Sequence, residues 1–147
     1  MQRKTIAGIL IGWYAAEALF GLALAGCSRP KADRLETYPA GGSLFAGDNP
    51  AAGARVQLNP VGDAKLAGLY PHAIVQQDGS FHLTTYKTRD GAPAGTYALT
   101  VTWPLPPIPK HEEGPDRFQG RYSDRRQPVA QVRIDAGEND LGTIRLK

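Results

Sequence analysis

The chain has 147 residues with 17 Lys+Arg against 14 Asp+Glu, a formal net charge of +3. That balance is too even to argue for a nucleic-acid binder. One cysteine excludes an internal disulfide, so an exported domain of this length must stand on its apolar core, and the length suits one domain with a sizeable core.

The N-terminus has the three zones of a secretory signal: Arg3 and Lys4, then an apolar run over residues 6–24, then small Ala25 and Gly26 ahead of the single cysteine, Cys27. Leu24-Ala25-Gly26-Cys27 resembles the lipobox of bacterial lipoprotein precursors. An uncleaved transmembrane helix is the competing reading, since about 20 apolar residues can span a bilayer. Glu17 weighs against it, because a charged side chain in mid-span costs about 2.5–3.5 kcal/mol. The Gly/Ala-rich stretch from Gly21 to Gly26 also favours an extended, cleavable segment over a rigid helix. Arg29, Lys31 and Arg34 place positive charge beyond the run as well, so charge alone does not decide orientation.

The lipobox resemblance implies that residues 1–26 are a signal helix to be removed and that Cys27 is acylated. Removing 26 residues from 147 leaves 121, with 15 basic and 13 acidic side chains once Arg3, Lys4 and Glu17 are gone. Several acyl chains are then expected, because one chain alone holds a membrane only marginally. Ser28 follows the cysteine where an aspartate would mark inner-membrane retention, so the resemblance implies an outer membrane if the cell has one. Residues 27–39 form the acylated cysteine and a polar tether with Pro30 and Pro39 near its ends, too poor in apolar side chains to bury much. Leu35 and Tyr38 are placed to begin docking onto the body.

Residues 40–147 read as short strands between Gly/Pro/Asp turns, the pattern of a β-sandwich. Residues 42–46 are a first strand, ended by Gly47-Asp48-Asn49-Pro50. Residues 54–59 follow, with Val56 and Leu58 on one face and Arg55 and Gln57 on the other. Residues 60–71 are loop, with Leu66 and Leu69 folded over an open end of the core. A hairpin of residues 72–77 and 80–85 is predicted around Asp78-Gly79, in a two-residue type I′ turn. That register opposes Gln77 to Ser80 and Ile74 to Leu83, putting Ile74, Phe81 and Leu83 on one face and Val75, His82 and Thr84 on the other.

Residues 96–103 are the best strand. Tyr97, Leu99, Val101 and Trp103 alternate with Thr96, Ala98, Thr100 and Thr102, so the first set is assigned to the core and the second to solvent. Each buried member is worth about 1.5–3 kcal/mol before entropy is subtracted. Residues 104–128 hold six of the 12 prolines and cannot be a central strand, because proline lacks an amide hydrogen. They form an insertion carrying Arg117, Phe118, Arg121 and Tyr122, with Arg125 and Arg126 close behind. Residues 129–134 and 141–146 supply the last two strands, with Ala130, Val132, Ile134, Ile144 and Leu146 facing inward.

Gly53-Ala54-Arg55-Val56, Asp78-Gly79-Ser80-Phe81-His82-Leu83 and the run from Ala94 to Val101 resemble carboxypeptidase regulatory-like domains. The resemblance implies an all-β, Ig-like or transthyretin-like sandwich of about seven strands. Small lipobox-bearing proteins of this type also show a segment like that from Asp116 to Asp124. Such domains accompany peptidases, transporters or adhesins as accessory modules, which is an analogy of fold. The hydroxyisourate-hydrolase branch of this fold ends in Tyr-Arg-Gly-Ser, whereas this chain ends Gly142-Thr143-Ile144-Arg145-Leu146-Lys147. No GxSxG, HExxH or phosphate loop occurs.

His72, His82, His111, Glu112 and Glu113 include metal-ligand types. The hairpin register parts His72 from His82, and His111-Glu112-Glu113 lacks an i,i+4 histidine, so no metal or cofactor is expected. Arg117, Arg121, Arg125 and Arg126 are expected to pair with Glu112, Glu113, Asp116 and Asp124, contact with anionic lipid or wall polymer being the alternative. Phe118 and Tyr122 are expected to pin the insertion to its own domain, with ligand contact as the alternative. The sequence therefore predicts a monomeric, lipid-anchored, non-catalytic module of the cell envelope whose partner is a protein or glycan and not nucleic acid. A carbohydrate- or small-ligand-binding accessory domain is the second reading, and an uncatalogued hydrolase the third.

Overall fold

A computed structural model describes residues 34–107 and 113–147. The signal helix, the lipobox with Cys27, most of the tether, His111 and Glu112 lie outside the described residues.

Among the described residues, alternating apolar side chains and frequent turn residues give ten strands: β1 (Thr37–Tyr38), β2 (Ala40–Ala46), β3 (Asn49–Pro50), β4 (Arg55–Pro60), β5 (His72–Ile74), β6 (Ser80–His82), β7 (Ala92–Pro93), β8 (Gly95–Thr102), β9 (Ala130–Ile134) and β10 (Asn139–Leu146). Seven of them are longer than two residues, which matches the seven-stranded all-β sandwich expected. One sheet has β2 at its centre, parallel to β10 on one side and antiparallel to β6 and β3 on the other. The second has the order β5-β4-β8-β9 and is antiparallel throughout. A short β1-β7 ribbon receives the incoming chain.

The core lies between the two sheets. Leu44, Phe81 and Leu146 meet Val56, Leu58, Tyr97, Leu99, Val101 and Ile134, all with 3% exposure or less. Leu66, in a 3-10 turn over Ala64–Leu66, closes the end of the core as predicted, whereas Leu69 is only half-buried. The Leu66 Cδ1 lies against the position that a Cβ on Gly95 would take, and Gly95 has φ +155, so glycine is favoured there.

Two expectations are corrected. The Asp78-Gly79 turn is not a two-residue type I′ turn, which needs positive φ at both positions, because Gly79 has φ +87 and Asp78 is not among the positive-φ residues. Gly79 N–H donates to Gln76 C=O and Gln76 N–H to Ser80 C=O, the pattern of a three-residue turn ending in a left-handed glycine bulge. The register therefore slips by one, with His72 opposite Thr84. A one-residue slip exchanges the faces. Ala73, Val75, Phe81 and Leu83 are buried, whereas Ile74 is 62% exposed.

The two arms then part, β5 joining β4 and β6 joining β2, so His72 and His82 lie on different sheets. Their separation comes from the sheets they join and not from the register. The second correction concerns β8. Its threonine side is not simply solvent, since Ala98 and Thr100 are 3% and 5% exposed. Trp103 lies just past the strand and is only half-buried.

Candidate interaction surfaces

The insertion after β8 carries the predicted interaction residues. Asp116 organises it: Oδ1 accepts from the Trp103 N–H at 2.6 Å and Oδ2 from the Gly120 N–H at 2.7 Å. Backbone bonds from Arg117 N–H to Trp103 C=O and from Val101 N–H to Tyr122 C=O lay the segment along the edge of β8 beyond β9. Gln119 and Gly120 turn the chain at φ 54 and 82.

Phe118 is thereby placed between two rings, 6.0 Å from Trp103 and 5.0 Å from Tyr122, the latter edge-on. Trp103 Nε1 donates to Ala52 C=O at 3.0 Å, and the Tyr122 hydroxyl bonds the Lys147 carbonyl. Phe118 and Tyr122 are half-buried and packed against the core, the placement that pinning of the loop requires. The expected pairing of the insertion's arginines with Glu113, Asp116 and Asp124 is not found, and Glu112 lies outside the described residues. Among the described residues Arg117, Arg121, Arg125 and Arg126 take part in no ion pair, while Glu113 pairs with Arg55. Arg117 stacks over Trp103 at 4.5 Å and Arg121 over Tyr122 at 5.3 Å, and Arg121 Nη1 also donates to Lys147 C=O. Planar guanidinium groups are suited to aromatic faces in a way ammonium groups are not.

A second surface lies on the outer face of the β5-β4-β8 sheet. Arg55, Gln57, His72, Ile74, Thr100, Thr102 and Ser123 line a groove of about 550 Å³ there. Its floor is fixed by Asn59, whose Nδ2 donates to Thr100 Oγ1 at 3.0 Å and to Ala98 C=O at 3.1 Å, and whose Oδ1 accepts from Gln57 Nε2 at 3.0 Å.

Other polar groups serve loops. The Asp90 carboxylate accepts from the N–H groups of Thr85, Tyr86 and Lys87. Burial pushes its pKa up, but these three amides together outweigh it and hold the group below its ordinary value. Asp78 is held below its ordinary value by the Ser80 hydroxyl and the Ser80 N–H. The Tyr97 phenol is pushed up to about 12 by burial and donates to Pro93 C=O. Among the described residues no group of three or more His, Cys, Asp or Glu is placed to hold a metal ion, and no helix is long and apolar enough to cross a membrane.

No family model and no curated protein matches the chain. Solved structures supply two distant likenesses. A DUF3823 family protein from Parabacteroides merdae aligns with a TM-score of 0.42 at 16% identity, over 76% of this chain and 47% of its own. A 9R-lipoxygenase from Cyanothece aligns with a TM-score of 0.43 at 15% identity, over 76% of this chain and 16% of its own. The chain thus spans less than half the length of either, and no function is carried across.

The sheet-face groove was not singled out from the sequence, although a signal for it was present. Arg55, Gln57 and Asn59 alternate with core residues on β4, as Thr100 and Thr102 do on β8, and the register lays them side by side: Gln57 opposite Thr100 and His72, Arg55 opposite Thr102 and Ile74. Ser123 is brought over that face by the insertion, and strand periodicity cannot foretell its arrival.

Proposed function

We propose that the chain is an exported, monomeric, lipid-anchored module of the cell envelope that works by binding and not by catalysis. The observation that carries the reading is Leu24-Ala25-Gly26-Cys27 closing an apolar run, with no second cysteine in 147 residues. Acylation of Cys27 is the committed chemistry, and Ser28 favours an outer-membrane destination. The binding role draws support from the work its carboxylates do: Asp90 and Asp116 each spend both oxygens on backbone amides that shape loops. Groups held in that way are poorly placed to exchange protons with a substrate.

The test is Cys27→Ser in the producing cell, with metabolic labelling by an alkyne fatty acid and fractionation of the envelope. The variant is expected to carry no label and to collect as soluble or unprocessed protein. Unchanged labelling and unchanged membrane partition would refute the anchor.

A further inference from the structure

The groove on the outer sheet face has a composition that selects its occupant. Its cross-strand rows are Ile74–Arg55–Thr102 and His72–Gln57–Thr100, with Ser123 contributed by the insertion. Among the described residues no carboxylate lines it. One does reach its arginine: Glu113 Oε1 lies 2.5 Å from Arg55 Nη2, with the two side chains 56% and 49% exposed. An ion pair so exposed is weak and readily exchanged for another carboxylate. The groove thus offers a guanidinium, an imidazole, an amide and hydroxyls, beside the largely exposed apolar side chain of Ile74.

Strand addition does not suit this surface. β4 is laddered on both sides, and the outer edge of β5 is already tied where His72 and Thr84 exchange both N–H···O=C bonds. A ligand on the face must be recognised through side chains, and the Asn59 bonds hold that face preorganised.

We infer that the groove binds an acidic saccharide unit, whose carboxylate replaces Glu113 on Arg55 while its hydroxyls meet Gln57, His72, Thr102 and Ser123 and its C–H face lies on Ile74. The choice of a glycan rests on the envelope-binding reading above, but the site stands on its own geometry. Bidentate pairing of arginine with carboxylate supplies the charge recognition, and the uncharged groups supply the preference for a sugar.

The test is calorimetric titration of the detergent-purified full-length protein with trigalacturonate, its carboxyl-reduced neutral counterpart and triglutamate. Binding is expected for trigalacturonate and not for the other two. Arg55→Gln is expected to weaken it about tenfold, as loss of a charge-assisted contact does. Glu113→Gln is expected to tighten it about two- to fivefold by freeing Arg55. His72→Gln gives a second variant that leaves the ion pair in place and is expected to weaken binding less than Arg55→Gln. Absence of trigalacturonate binding, or binding that Arg55→Gln and His72→Gln leave unchanged while melting temperatures stay constant, would overturn the site. Equal binding of triglutamate would overturn the saccharide assignment. None of these outcomes bears on Cys27, whose labelling experiment fails or succeeds separately.

Discussion

Replacing Phe118 by alanine tests whether the insertion is held by its aromatic cluster. A fully buried phenylalanine contributes about 1.5–3 kcal/mol by transfer alone, and Phe118, being half-buried, is entitled to roughly half of that. Its contacts with Trp103 at 6.0 Å and Tyr122 at 5.0 Å add about 0.5–1.5 kcal/mol each. Since Phe→Ala at fully enclosed sites costs about 3–5 kcal/mol, about 2–3 kcal/mol is the expected loss here. The assay is urea unfolding followed by circular dichroism, with Phe118→Leu as the variant that keeps apolar volume and loses only the ring contacts. A loss under about 0.5 kcal/mol for Phe118→Ala would refute pinning and return the ring to the role of an exposed binding aromatic.

Two further outcomes follow from titrating groups. Tyr97 has its phenol raised to about 12 in the folded state against an ordinary 10, so its contribution is complete below pH 10 and is lost as pH rises through about 12. Urea midpoints should therefore fall between pH 9 and pH 11.5 in the parent and fall less in Tyr97→Phe; parallel curves would refute the assignment. Asp90 is held below its ordinary 3.8, so what its carboxylate contributes is present above that value and lost as pH falls through its lowered one. The stability gap between the parent and Asp90→Asn should be full at pH 7 and shrink on acidification towards pH 2, and a gap constant across that range would contradict the three-amide cradle.

Strand positions are legible because each sheet turns one apolar face to the core, which imposes period two on Val56 and Leu58 and on Tyr97, Leu99 and Val101 even where the other face is also covered, as at Ala98 and Thr100. The turn at Asp78-Gly79 was legible as a turn but not in its type. Asp-Gly serves a two-residue turn with both residues left-handed and equally a three-residue turn with glycine alone left-handed. The choice falls to the second here, where Asp78 Oδ1 accepts from Ser80 N–H and Oγ, and core packing of Val75 and Phe81 agrees with it. No local pattern distinguishes the two, and one residue of register decides whether Ile74 is core or surface.

The partners that the insertion's arginines take among the described residues are not legible in the sequence for a related reason. Among the described residues, Asp116 and Asp124 accept from backbone amides and Glu113 is carried to Arg55, while Arg117 and Arg121 stack on aromatic rings. Which carboxylates remain free depends on the turns they cap, and that is a property of the folded loop. The alternation on β4 and β8 shows the outer-face residues of the groove, but assembling them takes the cross-strand register and Ser123.

The parallel pairing of β2 with β10 has a mechanical consequence. The chain enters the body at β1, beside the start of β8, while Lys147 and the Trp103 cluster stand at the other end of a strand about 25 Å long. A pull on Thr37 resisted at Lys147 is directed along β2 and against β10, which are paired at six positions in the same direction. Such a load shears the whole ladder at once, whereas a hairpin pulled from its open end gives way one rung at a time. A load applied between those two points therefore meets the β2–β10 ladder in shear.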